Sequence, residues 1–273
     1  HPDGECEDKF KKYWPCDIHL IGKDILRFHT IYWPIMLHVL SLPLPKRIFG
    51  HPWLLFGNDK MSKSKGNIVY ADDLVEKYGV DAVRYYLIHE MPFASDGTFT
   101  NELLVESINS NLANVLGNLV NRTIGMINKY FDGVVVDKNT SEELDLELKN
   151  LVLSTKNTVD SKMDDLRIAD SLDNIFDIFR RCNKYIDETM PWVLAKDESK
   201  RERLSTVLYN LVESIRFGTV LLQPFMPDTA DKIFRQLNTN KTTYDTLDKF
   251  GYYESGSHVG EAQVLFQRIE VKK

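Results

Sequence analysis

The chain has 273 residues, of which 43% are hydrophobic and 27% charged, a composition typical of globular proteins and long enough for two domains of ordinary size. Its net charge of −6 argues against a protein that holds nucleic acid by bulk positive charge, and no run of about 18 apolar residues predicts a membrane span. Cys6, Cys16 and Cys182 are too few and too scattered to predict a disulfide framework or a zinc site. This cysteine usage favours the cytoplasm, with an organellar matrix as the alternative.

Residues 1–97 alternate short strand-like runs with helical patterns. In chain order the sequence predicts a strand over 17–21 that ends at Gly22, a helix from Lys23, a strand over 47–56 with an edge or bend at Pro52, a polar loop over 57–67, and a helix over 72–90 interrupted at Gly79. This order is typical of half of an α/β domain.

Residues 98–273 have apolar residues at helical spacing almost throughout. The predicted helices cover 104–127, 144–159, 166–186, 204–222 and a shorter block over 227–237, and residues 263–271 are predicted as a frayed strand or tail. These lengths favour an antiparallel helix bundle, so the predicted domains are 1–97 and 98–273. Their net charges are −1 and −5, so any contact of the bundle with nucleic acid would need a local patch.

The polar loop contains the densest cluster of chemical groups in the chain. Its residues are Lys60, Met61, Ser62, Lys63, Ser64, Lys65, Gly66 and Asn67. Three lysines and two hydroxyls that run into a glycine can fold over a polyphosphate, and the helix that follows adds a modest attraction for anions. An arbitrary lysine-rich octamer would more often be a solvated basic loop.

This octamer is identical to the KMSKS signature of class I aminoacyl-tRNA synthetases, extended by Lys-Gly-Asn. Together with the turn Gly22-Lys23-Asp24-Ile25 and the element Met190-Pro191-Trp192, it resembles the methionyl-tRNA synthetase family over essentially the whole chain. The resemblance implies the second half of a Rossmann-type α/β catalytic domain, followed by an all-α anticodon-binding helix bundle. It also implies an ATP-dependent ligase that activates methionine to methionyl-adenylate and transfers it to tRNA(Met).

The resemblance assigns nucleotide-binding roles to two segments. Lys60 and Lys63 match the catalytic lysines that stabilise the ATP triphosphate as pyrophosphate leaves. Asp24 matches a carboxylate near the ribose hydroxyls, although as an acid in a first helical turn it has an equally good structural explanation. The implied ATP-binding set is Gly22, Asp24, Lys60, Met61, Ser62, Lys63 and Ser64, with Mg²⁺ entering with ATP and no tightly bound metal.

Ile25, His29 and Trp33 lie at i, i+4 and i+8, which predicts that they share one helix face. In the resembled family this face lines the methionine pocket, where an apolar wall and an aromatic edge suit a thioether and His29 would orient the ligand. Without the resemblance, all three would be interpreted as core residues.

Four positions of the helical part match the anticodon-reading residues of the family, which recognise the CAU loop. Asn118 and Arg122 are four residues apart and have forked side chains suited to base edges, and Trp192 follows Pro191 at the end of a long helix. The alternative is a core tryptophan and an Asn/Arg pair within a bundle network.

No HIGH-type motif is present in the chain, which is therefore expected to be the C-terminal part of a longer synthetase, inactive alone and completed by an N-terminal half. Its expected partners are tRNA(Met), methionine, ATP and that half, with no membrane. Two other hypotheses are a non-catalytic tRNA-binding module and a class I ligase for leucine, isoleucine, valine or cysteine.

Overall fold

The computed structural model describes residues 7–57, 59–62, 64, 66–93 and 95–270, which form two compact units. The α/β unit comprises the chain up to Asn67 together with Met91–Thr98, and the helical unit comprises Ile68–Glu90 together with the chain from Phe99 onward. This division differs from a single cut at residue 97. The reason is that Arg84 donates to the carbonyl of Phe225 (2.8 Å), which ties residues 68–90 to the helical unit. The domain boundary at residue 97, as a division between functional domains, stays a prediction.

The α/β unit contains a parallel strand pair linked by a helical crossover. β1 pairs with β2 in parallel, with Ile18 opposite Arg47. A second sheet has the order β4-β3-β5, with β3 and β4 antiparallel. The elements are α1 (Glu7–Tyr13), β1 (Ile18–Gly22), a 3-10 turn (Lys23–Ile25), a π-helical segment (Phe28–Tyr32), α2 (Trp33–Val39), β2 (Arg47–His51), β3 (Leu54–Phe56), β4 (Asp59–Lys60) and β5 (Gly97–Phe99), which ends in the helical unit.

Two predicted elements differ from the observed ones, and in both cases a proline is present. The strand expected over 47–56 is two strands in different sheets, because Pro52 lacks an N–H and the Trp53 N–H donates to the Asp96 side chain (2.9 Å). The helix expected from Lys23 begins with a 3-10 turn, has α geometry at residues 26–27, changes to π geometry, and returns to an α-helix at Trp33, with a proline at the start of α2. The regular α-helical spacing assumed for i, i+4 and i+8 therefore does not hold along this segment.

The helical unit contains all five predicted helical blocks, which confirms an α/β region followed by a helix bundle. Residues 263–270 form no strand, and the tail is docked because Asn109 exchanges two hydrogen bonds with the backbone of Ile269 (2.9 and 2.8 Å). The elements are α3 (Ala71–Tyr78), α4 (Val80–His89), α5 (Asn101–Ser107), a π segment (Ile108–Gly117), α6 (Asn118–Phe131), β6 (Val134–Val135), α7 (Glu143–Asp164), α8 (Ile168–Thr189), α9 (Pro191–Leu194), a 3-10 turn (Glu198–Lys200), α10 (Arg201–Leu222), α11 (Pro227–Leu237), a 3-10 turn (Tyr244–Leu247) and β7 (Ser257–His258).

Helix α10 is the centre of the helical unit, since every residue from Leu204 to Leu222 is buried. Gly218 permits its close approach to α8, because a Cβ at this position would lie 2.7 Å from Cε1 of Phe179. Burying a charged side chain is costly unless it is paired, and the two charged side chains in the buried part of α10, Glu213 and Arg216, form an ion pair in which both are fully buried.

Asp145 forms a second buried polar cluster, at the start of α7. Its carboxylate accepts two hydrogen bonds from Arg203 (2.6 and 2.9 Å), one from the Tyr185 hydroxyl and one from the Glu142 N–H (2.9 Å). Burial alone would raise the pKa of Asp145, but the hydrogen bonds from Arg203 and Tyr185 outweigh it and lower that pKa. The cluster connects α7, α8 and α10.

Within the described ranges, no helix is both long enough and apolar enough to cross a membrane. In the same part of the chain, no group of three or more His, Cys, Asp or Glu side chains is placed to hold a metal ion.

We expect Gly218→Ala to destabilise the protein by about 1–3 kcal/mol, because the added methyl group forces α8 and α10 apart. Gly125→Ala in α6 is the matched control, since a Cβ there meets nothing within 4 Å and the substitution favours a helix. Urea unfolding of both variants measures the difference. Equal stability of the two variants would contradict this close packing.

We expect Asp145→Asn to cost about 3 kcal/mol at neutral pH, because it removes the fully buried carboxylate partner of Arg203 and leaves only the exposed Glu142 (3.1 Å) as its ion-pair partner. The lowered pKa means that the carboxylate stabilises the fold fully above the unfolded value of about 3.9, and that this stabilisation is lost as the pH falls through the folded pKa. Unfolding measured from pH 7 to pH 3 should show the wild type approaching the variant below about pH 4. Asp17→Asn, at an exposed ion pair, is the control with little effect.

Candidate functional site

The KMSKS loop starts at the antiparallel pair of β3 and β4 and is closed by one side chain. The amide of Asn67 accepts from the Ser62 N–H (2.8 Å) and donates to the carbonyl of Lys60 (3.4 Å). The hydroxyls of Ser62 and Ser64 form a hydrogen bond with each other (2.8 Å). Met61 and Ser62 are half-buried, whereas Lys60 and Ser64 are exposed. The two ends of the loop are therefore joined, and of its described polar side chains those of Lys60 and Ser64 are exposed.

Two further lysines of the loop, Lys63 and Lys65, lie outside the described residues. The catalytic role expected of Lys63 therefore stays a prediction. The structure describes Lys60, whose ammonium group lies 4.2 Å from the ring centroid of Trp53.

The same indole ring contacts a second ammonium group. Nζ of Lys23 lies 4.3 Å from the Trp53 ring centroid and 2.5 Å from Oδ1 of Asp96. The hydrogen bond from Lys23 lowers the pKa of Asp96, and the Trp53 N–H lowers it further. Two cations and one carboxylate thus surround one ring within the α/β unit.

Gly22 and Asp24 form the turn that follows β1. The Asp24 carboxylate is exposed and folds back on Gly22, where a Cβ would lie only 2.6 Å from Oδ1 of Asp24. A larger residue at position 22 would displace the Asp24 carboxylate from this position. The contact of Asp24 with a ribose stays a prediction.

A cavity of about 410 Å³ lies beside the π-helical segment. Its lining includes two of the three residues predicted for methionine, His29 and Trp33, but not Ile25, which is 40% exposed. Ile25 lies at the end of the 3-10 turn that precedes the π-helical segment, so the regular α-helical spacing assumed between Ile25 and His29 does not hold. The lining residues are His19, Phe28, His29, Tyr32, Trp33 and Met36.

The polar groups of this cavity are connected to one another. The Trp33 indole N–H donates to Nε2 of His19 (3.1 Å), and the rings of His19 and His29 meet edge to face at 5.9 Å. Nδ1 of His29 forms a hydrogen bond with the Ile25 carbonyl (3.0 Å). Ile25 therefore contributes to the cavity through its backbone, by orienting His29. An aromatic and imidazole lining of this kind suits a soft, polarisable ligand group.

The helical unit carries the second predicted site. Asn118 and Arg122 are one turn apart in α6, with Asn118 exposed and Arg122 half-buried. Arg122 forms a long ion pair (3.7 Å) with Asp187 of the last turn of α8. Three residues after Asp187, the chain turns through Met190, which has a positive φ, into the short helix α9.

This turn determines how Pro191 and Trp192 are presented. Pro191 is buried at the first position of α9, whereas Trp192 is 40% exposed. The alternative of a core tryptophan is therefore wrong. An exposed indole on a proline-anchored turn is available for stacking.

Sequence reasoning missed four residues of these sites. His19 is a neighbour of the cavity that only the fold brings to Trp33, and Asp96 reaches Lys23 from a distant part of the chain. Trp53 follows Pro52, which was interpreted only as an edge or a bend. Asn67 was included in the loop, but no role was predicted for it. No local pattern signals the long-range contacts, but a tryptophan flanked by Pro52 and a lysine-rich loop is a signal that could have been used.

Comparison with known proteins covers both units. Residues 2–124 match the family model of class I tRNA synthetases (M), and residues 136–273 match the anticodon-binding domain of methionyl-tRNA ligase. The chain is 55% identical over 271 residues to a methionine–tRNA ligase of Caldanaerobacter subterraneus and 48% identical over 275 residues to one of Bacillus subtilis. These matches cover 98% and 99% of the chain, which spans 42% and 41% of those relatives.

A solved structure agrees with these sequence relationships. The Mycobacterium tuberculosis methionyl-tRNA synthetase in complex with methionyl-adenylate is 36% identical, with a TM-score of 0.91 over 96% of this chain and 52% of that one. The α/β unit with its KMSKS loop and the helical unit define a class I aminoacyl-tRNA synthetase. Within that class, the chain belongs to the methionyl-tRNA synthetase family.

Proposed function

We propose that the chain supplies the triphosphate-binding loop, a wall of the methionine pocket and the anticodon reader of a methionine–tRNA ligase. The observation that carries this proposal is the closed KMSKS loop with the exposed ammonium group of Lys60 next to the Lys23–Asp96 pair. In such an enzyme ATP, taken as its magnesium complex, and methionine give methionyl-adenylate and pyrophosphate. The methionyl group then passes to tRNA(Met).

The loop lysines act on the first of these steps. A carboxylate oxygen of methionine attacks the α-phosphorus, and the bond from that phosphorus to the bridging oxygen of the β-phosphate breaks. Negative charge builds up on the departing pyrophosphate, so a cation placed there stabilises the transition state more than the ground state. Lys60 and Lys63 supply the cations that stabilise this negative charge, and Met61, Ser62 and Ser64 shape the loop. Asp24 lies near the ribose hydroxyls, and Gly22 belongs to the same ATP-binding turn.

The cavity of the α/β unit receives the methionine side chain. Trp33 and His29 supply the aromatic edges that suit a thioether, and the Ile25 carbonyl holds His29 in place. The Trp33 indole N–H donates to Nε2 of His19, so this polar atom of the cavity already has a hydrogen-bond partner before a ligand binds.

The helical unit recognises the CAU anticodon by stacking and base-edge contacts. Trp192 provides the stacking surface, Pro191 fixes its backbone, and Asn118 and Arg122 supply donors and acceptors on α6. The ion pair with Asp187 limits the charge that Arg122 offers, which favours specific contacts over bulk attraction.

We expect the 273-residue chain to bind an RNA stem–loop with a CAU anticodon more tightly than loops with other anticodons. Trp192→Ala should weaken binding to the CAU loop by about 5–100-fold, since stacking on one aromatic is worth about 1–3 kcal/mol. The neighbouring exposed residue provides the control Val193→Ala, which should have little effect. Filter binding measures all three proteins, and equal affinity for every loop would contradict the proposed recognition of the CAU anticodon.

We expect Lys60→Ala to weaken the binding of inorganic tripolyphosphate, which stands in for the ATP triphosphate, by about 3–10-fold, as expected for the loss of one charge-assisted contact. Lys77→Ala, on helix α3 outside the loop, is the control that removes the same charge. Isothermal titration calorimetry at two salt concentrations separates a specific contact from general attraction. Equal losses in the two variants would count against a specific role for the loop.

A further inference from the structure

The Trp53 ring is the common neighbour of two ammonium groups that have different electrostatic partners. Lys23 is neutralised by Asp96 at 2.5 Å, whereas within the described residues Lys60 has an aromatic neighbour and no ion pair. A carboxylate beside Lys60 would cancel its charge and compete with an incoming phosphate. An aromatic face attracts an ammonium group through its quadrupole and leaves the positive charge intact.

The backbone of Trp53 is held from both sides. Its N–H donates to Oδ1 of Asp96 (2.9 Å), and its carbonyl accepts from the Gly97 N–H (2.9 Å). The same Asp96 oxygen accepts from Lys23, so one carboxylate fixes both the ring's backbone and the first cation. Lys60 reaches the ring because β4 pairs with β3, in which Leu55 lies opposite Lys60 and only two residues after Trp53.

We propose that Trp53 is a positioning residue for Lys60: its indole holds the ammonium group in register with the Lys23–Asp96 pair, ready to contact a polyphosphate. The inference rests on the proposed role of Lys60 in triphosphate binding. A free lysine side chain loses much rotamer entropy when it binds an anion, and a lysine already placed on a ring loses less. The ring also offsets the repulsion between two ammonium groups that share it.

The position of Lys60 can be tested apart from ligand binding. Reductive methylation with ¹³C-formaldehyde labels the lysine amines, and the Lys60 signal is identified by its loss in Lys60→Arg, whose guanidinium is not labelled. Because the group lies over an indole, its proton signal should be shifted upfield in the wild type and return to the exposed-lysine position in Trp53→Leu. A signal that does not move in Trp53→Leu would overturn the proposal.

The effect on binding is tested with tripolyphosphate and a double-mutant cycle. Trp53→Leu should weaken tripolyphosphate binding about 3–10-fold, whereas Trp53→Phe, which keeps an aromatic ring, should weaken it less than about 2-fold. In the Lys60→Ala background, Trp53→Leu should cause no further loss of affinity. Circular dichroism and thermal unfolding identify any variant that has lost its fold. If Trp53→Leu is such a variant, the position of the Lys60 signal is compared between the wild type and Trp53→Phe instead.

The outcomes separate this inference from the proposed function. If Lys60→Ala leaves tripolyphosphate affinity unchanged, the role of Lys60 fails and the inference fails with it. If Lys60→Ala weakens binding but Trp53→Leu leaves it unchanged or strengthens it, only the positioning role of Trp53 is overturned. Equal losses for Trp53→Leu with and without Lys60 would also overturn it, because they would show that the ring acts through another group.

Discussion

The helical unit depends on one buried ion pair in α10. Arg216 donates to both carboxylate oxygens of Glu213 (2.7 and 2.8 Å), and both side chains are fully buried. The pair is viable because its remaining hydrogen-bonding capacity is used. Glu213 accepts from three successive backbone N–H groups, at 251–253, and Arg216 donates to Thr246 and to the carbonyl of Lys241. The segment over 241–253, which includes the 3-10 turn Tyr244–Leu247, is thereby fixed to helix α10.

That rigidity matters for the exposed indole of Trp192. Its helix follows α8, which packs closely on α10 at Gly218 and is joined to α7 and α10 through Asp145. A stacking surface is selective only if its position does not adapt to every base offered to it. In the α/β unit the proposed function sets a different requirement, since a loop that binds a departing phosphate needs a positive charge that is held in place without being neutralised. In our proposal, the contact between Lys60 and the Trp53 ring meets this requirement.

The sequence predicted most of the helical unit and the identity of the loop, because helical periodicity and an eight-residue signature are both local. It predicted the limits of α11 to the residue, and the break at Gly79. It failed where the cause was not local. The strand over 47–56 is divided because Asp96, more than forty residues away, accepts a hydrogen bond from the Trp53 N–H. Ile25 does not line the cavity with His29 and Trp33, because it lies in a 3-10 turn and the regular α-helical spacing does not hold. The contacts of Lys60 required the pairing of β3 with β4, which spacing alone does not reveal.

The docked tail has a consequence for the order in which the chain can acquire its structure. Asn109 binds the backbone of Ile269, and β6 pairs with β7 through Val134 and His258, so the beginning of the helical unit is completed by its end. A polypeptide made from its N-terminus emerges as α5 and α6 long before these partners exist. Individual helix pairs can form during synthesis, but these contacts close only after β7 and Ile269 have left the ribosome. Long-range contacts of this kind slow folding, and until they form the helices that are made first keep their apolar faces exposed.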